Sequence, residues 1–186
     1  PLADTLDRAR EIAALAQAAG VPWFSSSSLR FGNIVATVKR SDTTGAIAWG
    51  PGPLEEHHYL ELAWYAIHPI EILYTLMGPG CQEVTRTSTP DTDVIVGRWK
   101  DGRLGTVRAI RPYSSYGAVV FTPKEVVRSD EKYKEEPGYH GLLTAIVKMF
   151  ETGKPPLAPE ETLEIYAFLD AAQRSKAAGG KPMPLR

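Results

Sequence analysis

Asp93-Val94-Ile95-Val96-Gly97-Arg98-Trp99-Lys100, then Asp101-Gly102, then Arg103-Leu104-Gly105-Thr106-Val107-Arg108-Ala109-Ile110-Arg111 reads as two strands joined by a tight turn. An Asp-Gly pair between two strand-like runs signals a two-residue hairpin, whose turn positions both take positive φ. Strand-like sequence continues on either side of this pair. It begins near Cys81 and includes Tyr116 to Thr122 and Glu125 to Val127, which extend an antiparallel sheet. Two helices close the chain, one over about 139–151 and one from Pro159 to just before Gly179-Gly180. Strands grouped together and followed by grouped helices predict an α+β domain with helices packed on one face of the sheet.

Upstream, residues 4–19 predict a helix. Asp4 or Thr5 caps it, and Leu6, Ala9, Ile12, Ala13, Ala16 and Ala19 share a stripe at helical spacing. Gly20 and Pro22 stop it. Val21 to Phe24 reads as a short buried strand opening into the loop Ser25–Ser28. A helix feeding a buried strand is the pattern of an α/β unit, and no other part of the chain repeats it. Residues 1–31 are therefore expected to be the remnant of a Rossmann-like domain and its crossover, and 32–186 the α+β domain. Within the latter, 32–41 favours a short helix and Gly45–Gly50 a strand. Leu60 to Met77 is the most apolar segment, and Pro69 interrupts it. Proline is tolerated only in a first helical turn, so the regular helix is expected to start near His68 and Pro69 after an irregular lead-in.

The composition narrows the function classes. An apolar fraction of 43%, a charged fraction of 23% and a formal net charge of -1 describe an ordinary globular chain. There is no basic stripe to attract nucleic acid and no apolar run long enough to span a bilayer. The one cysteine, Cys81, cannot form an internal disulfide and reads as a small buried residue; a reducing, cytoplasmic setting fits. Pro1 has no methionine before it and no signal-like sequence after it, so the start reads as a cut inside a longer protein.

Three sets of residues resemble the Gfo/Idh/MocA oxidoreductases. The first is Pro1-Leu2-Ala3, a helix, Gly20-Val21-Pro22 and then Ser28-Leu29-Arg30-Phe31; in that family a Glu-Lys-Pro signature precedes this helix. The second is Trp64-Tyr65-Ala66-Ile67-His68-Pro69-Ile70-Glu71 with Leu76-Met77-Gly78 after it. It is similar to the family's catalytic-histidine region, where a histidine opens a helix and an acid follows three residues on. The third is Pro159 to Leu169 with Gly180-Lys181-Pro182. The resemblance implies a preceding Rossmann domain that binds NAD or NADP, an open-faced antiparallel sheet domain, and a sugar, inositol or related polyol between them. It also implies homo-oligomers associated through the outer sheet face.

The same resemblance suggests roles for individual residues. Alcohol oxidation needs a base for the hydroxyl proton and a nicotinamide for the hydride, and imidazole suits the first task. His68 stands where the family places that base. Glu71, on the same helix face, is placed to orient or charge-balance it. Trp64 occupies the position where the family often carries an aspartate; either Glu71 or Glu61 takes over the acid or the subgroup uses a modified site, and an aromatic there suits stacking on a sugar face instead. Tyr65 and Arg30 complete the expected substrate side, and Ser28 is the expected cofactor contact. Arg111, Pro112, Tyr113 and Tyr116 face either the cleft or a neighbouring subunit. Glu55-Glu56-His57-His58 has metal-ligand residue types, but adjacent loop histidines rarely converge on one ion, and no metal site is expected. No Gly-x-Gly-x-x-Gly loop is present, so the chain alone is expected to bind NAD weakly or not at all. The alternative reading is a non-catalytic sugar-binding or oligomerisation module derived from this family.

Overall fold

A computed structural model describes residues 2–112, 115–129 and 138–186. Pro1 and Tyr113, singled out above, lie outside the described residues. Helix α1 (Leu6–Ala18) begins at Thr5, whose hydroxyl accepts the Arg8 N–H. A 3₁₀ turn, Ser28–Phe31, leads into α2 (Asn33–Val38), and β1 (Gly45–Pro51) follows. A second 3₁₀ turn, Glu61–Trp64, is the irregular lead-in to α3 (Ile67–Met77), with Pro69 in the first turn where its missing N–H costs nothing. Strands β2 (Cys81–Ser88), β3 (Thr92–Trp99), β4 (Leu104–Ile110), β5 (Gly117–Phe121) and β6 (Val126–Arg128) come next. Then follow α4 (His140–Thr152), α5 (Pro159–Ala177) and the short β7 (Met183–Pro184).

Among the described residues the strands form one open seven-stranded sheet in the order β6-β5-β1-β4-β3-β2-β7. Helices α3 and α5 lie on one face. Ala46, Ala48, Ile95, Val107, Ala109, Ala118 and Val120 of the sheet are buried with Ile70, Leu73, Ile165, Phe168 and Leu169 of the helices. Tyr74 ties the layers together: its ring meets Trp99 of β3 at 5.7 Å and Phe168 of α5 at 5.8 Å. The opposite face carries Ile47, Val94, Val96, Thr106 and Val119, none of them fully buried, and an exposed Leu104. Helix α1 packs along α5, and the Tyr166 hydroxyl accepts the Ala3 N–H at 3.0 Å.

The expected α+β architecture is present, with three local corrections. Val21–Phe24 is not a strand: among the described residues it has no hydrogen-bonding neighbour in the sheet, and Val21 is exposed. The sheet is mixed rather than wholly antiparallel, because β1 runs parallel to β4. At the β3–β4 turn Gly102 takes positive φ but Asp101 does not. The turn runs from Trp99 to Gly102, closed by the Gly102 N–H on the Trp99 carbonyl, and the Trp99 N–H bonds the Arg103 carbonyl. That is the longer hairpin loop with glycine in its left-handed position, not the two-residue type.

Candidate active site

The start of α3 presents His68. Its backbone N–H bonds the Tyr65 carbonyl at 3.1 Å, and Pro69 then fixes the direction of the turn. The imidazole Nδ1 lies 2.8 Å from the Ser27 hydroxyl, which also accepts the Leu29 N–H at 3.2 Å. Ser27 caps the 3₁₀ turn Ser28–Phe31 and is buried. Two tyrosines stand edge-on to the imidazole: Tyr65 with ring centres 5.3 Å apart, and Tyr116 at 6.1 Å. Tyr116 reaches this position because β1 carries glycine at Gly50, where a Cβ would come within 2.5 Å of the Tyr116 ring.

His68 lies between two cavities. The larger, about 400 Å³, is lined by Ser28, Phe31, Tyr65, His68, Tyr116 and Tyr139 among others. Among the described residues that line it, none is Asp, Glu, Lys or Arg. The smaller, about 240 Å³, is lined by Leu2, Ser25, Ser26, Ser27, Ile67, His68 and Glu71. Burial holds the imidazole below its ordinary value of 6.5, so it is neutral at neutral pH. A neutral imidazole anchored at Nδ1 and walled by aromatic rings can exchange a proton with a small hydroxylated molecule.

Behind His68 is an ion cluster. Arg30 Nε bonds Glu71 Oε2, and Arg30 Nη1 lies 2.6 Å from Glu161 Oε1 of α5. Burial pushes the Glu71 carboxyl up, from 4.5 to about 7, against the pull of the Arg30 guanidinium. Two carboxylates share this one guanidinium, which fixes the 3₁₀ turn to α3 and α5.

The expected site residues thus separate. His68, Tyr65 and Ser28 line the larger cavity, and Glu71 joins His68 on the smaller one. Arg30 lines neither cavity; its side chain is 3% exposed, with Nε and Nη1 on carboxylates and Nη2 buried without a hydrogen-bond partner among the described residues, so it stands behind the two cavities. Trp64 lines neither cavity and is 47% exposed. Glu61 is turned away into a second ion cluster, with Arg86 at 2.6 Å and Lys176 at 2.5 Å. Arg111 joins that cluster through Asp93 at 2.7 Å. Among the described residues no group of three or more His, Cys, Asp or Glu side chains converges as a metal site. Sequence reasoning missed Ser27 as the partner of His68 and Glu161 as the partner of Arg30. Both contacts join distant segments, and the only sequence signal was the serine run itself.

No family model matches the sequence, and no curated protein matches it as a relative. Solved structures do match. GenD2 from gentamicin A biosynthesis, in complex with NAD, aligns with a TM-score of 0.80 at 14% identity, over 100% of this chain and 70% of its own. The myo-inositol dehydrogenase of Lactobacillus casei, in complex with NAD(H) and myo-inositol, aligns with a TM-score of 0.76 at 13% identity, over 100% of this chain and 69% of its own. The scyllo-inositol dehydrogenase of Lactobacillus casei aligns with a TM-score of 0.74 at 12% identity, over 97% of this chain and 70% of its own. Among the described residues no helix is long and apolar enough to cross a membrane.

Proposed function

From a chain whose fold is that of the Gfo/Idh/MocA-type dehydrogenases, we infer that it is the substrate-side, proton-handling part of an NAD(P)-dependent dehydrogenase acting on a sugar, inositol or related polyol. The observation that carries this reading is His68: a neutral imidazole, anchored at one nitrogen, lining an aromatic cavity of about 400 Å³. Aromatic walls suit the CH faces of a ring polyol, and the hydroxyls of Ser28 and the tyrosines suit its polar edge. In oxidation, His68 accepts the hydroxyl proton as the hydride leaves carbon.

The described residues do not fit a whole dinucleotide. Gly50-Pro51-Gly52 ends a strand and Gly78-Pro79-Gly80 ends α3, so neither forms the glycine-rich loop that opens a helix and cradles a pyrophosphate. A bound NAD(P) supplies the hydride acceptor. In this reading residues outside the chain hold most of it, with Ser28 as a contact from this side. Residues 1–31 then belong to the nucleotide-binding half and 32–186 to the substrate half. Self-association through the open sheet face, with Leu104 exposed on it, belongs to the same reading.

The test starts with the coding sequence upstream of Pro1, then assays the full product with NAD or NADP against inositols and sugars. His68→Ala should lower turnover roughly 100-fold or more, the scale of a lost general base. Turnover within a few fold of wild type removes His68 from the mechanism. One observation favours a second reading, a non-catalytic sugar-binding module: the position where the family often carries aspartate holds the outward-facing Trp64. Measurable polyol binding with no redox activity would select that reading.

A further inference from the structure

The loop Ser25–Ser28 approaches the start of α3 so that a single residue, Ser27, touches both ionisable groups there. Its hydroxyl lies 2.8 Å from His68 Nδ1, and its backbone stands near enough to the Glu71 carboxyl to favour the charged form. Ser27 is 6% exposed, and its Oγ also accepts the Leu29 N–H, which fixes the rotamer. A serine hydroxyl has one proton to donate and two lone pairs to offer. Leu29 occupies one lone pair. The remaining lone pair and the proton can be arranged in two ways. Either Nδ1–H donates to Oγ and Nε2 is bare, or Oγ–H donates to Nδ1 and Nε2 carries the proton. Only the first leaves His68 able to accept a proton on its other nitrogen.

The surroundings of Ser27 favour the first arrangement. Among the described residues that line the smaller cavity, Ser27 included, Glu71 is the one carboxylate. An ionised carboxylate draws the hydroxyl proton towards itself, directly or through a water, and turns an Oγ lone pair to the imidazole.

We propose that Ser27 is the positioning residue of His68: it receives Nδ1–H, fixes the ring between Tyr65 and Tyr116, and leaves Nε2 bare towards the larger cavity. The proton ledger closes. The proton that Nε2 takes from a hydroxyl makes the imidazolium, whose Nδ1–H strengthens its bond to Ser27 Oγ, and Ser27 itself gains and loses nothing. The catalytic use of this arrangement rests on the dehydrogenase reading, but the tautomer does not.

The test therefore has two parts. The first is ¹⁵N NMR of the His68 ring in the 186-residue chain, recorded at about pH 8, above the range where Glu71 takes up a proton. The expected result is a His68 signal dominated by the Nδ1–H tautomer in wild type and in Ser27→Thr, which keeps the hydroxyl. In Ser27→Ala it shifts towards the Nε2–H form. An Nε2–H tautomer in wild type overturns the proposal, as does a His68 signal that Ser27→Ala leaves unchanged. If Ser27→Ala fails to fold, the wild-type tautomer alone decides. The second part is the dehydrogenase assay. Ser27→Ala should lower kcat roughly 10-fold or more with KM changed less than kcat, and Ser27→Thr should recover most of it. A loss confined to KM, or none in kcat, also overturns the positioning role. An inactive wild type with an Nδ1–H His68 would sink the dehydrogenase reading and leave the tautomer assignment standing.

Discussion

Arg30 and Glu71 form an ion pair in which each side chain is 3% exposed, one helical turn along α3 from His68. Burying a carboxylate is costly even beside a guanidinium, and Glu161 competes for the same guanidinium. The Glu71 carboxyl is therefore raised from 4.5 to about 7. A raised carboxyl contributes stability that is full below its ordinary value and is lost as pH rises through the folded value.

The sign gives a prediction for Glu71→Gln. Between about pH 5 and about pH 8 wild type should lose stability relative to the variant, because only wild type must ionise a buried group. Urea midpoints at several pH values measure this difference. His68 contributes equally to both proteins and cancels. Parallel curves would show that Glu71 titrates as an ordinary carboxylate.

Burial also sets the pH range of the proposed activity. His68 is held below 6.5, so its base form persists to lower pH than in a solvated imidazole. The acid limb of the kcat/KM profile should fall below 6.5. A limb above that value would assign it to another group.

The second ion cluster is structural. Asp93 is fully buried and binds Arg86 at 2.6 Å and Arg111 at 2.7 Å, while Arg86 also holds Glu61 ahead of α3. Burial raises the Asp93 carboxyl, but Arg86, Ser88 and Arg111 more than offset it and hold it below 3.8. Asp93→Asn leaves two guanidinium groups short of a counter-charge and should cost about 3–5 kcal/mol. A chemical-denaturation loss under about 1 kcal/mol would show that the charges are solvated.

Gly50 and Tyr116 give a packing test. A methyl at Gly50 would press the Tyr116 ring at 2.5 Å, so Gly50→Ala should destabilise by roughly 1–3 kcal/mol and shift the His68 ring resonances as Tyr116 moves. In a Tyr116→Ala background the same change should cost much less, a coupling read by a double-mutant cycle. Additive effects would mean that the ring yields freely.

These elements also show what the sequence made legible. The 93–111 hairpin, the lead-in before Pro69 and the closing helices follow from alternation, proline chemistry and helical spacing, all of which are local. The parallel pairing of β1 with β4 is not local, and nothing in Gly45–Pro51 specifies its neighbours. Val21–Phe24 has strand-like composition, but a strand exists only where a partner offers hydrogen bonds. For the candidate site, the position of His68 at a helix start was readable. Arg30 looked like a ligand-facing cation because Glu161, which engages it, lies in a distant helix. Ser27 could not be told from its three serine neighbours without the fold that brings it to Nδ1.

The place of β1 in the sheet has a kinetic consequence. β2, β3 and β4 are joined by tight turns and can zip together early, at little loop-closure cost. β1 is made before all of them, yet Gly45 lies opposite Leu104 on one side and Phe121 on the other. The middle of the sheet is therefore expected to close last, and pulsed hydrogen exchange should find the amides of β2–β4 protected before those of β1. Until β1 docks, the inner edge of β4 is an unpaired strand edge, open to pairing with another chain. During synthesis and refolding, the part of the sheet most deeply buried at the end is the part most exposed to aggregation on the way.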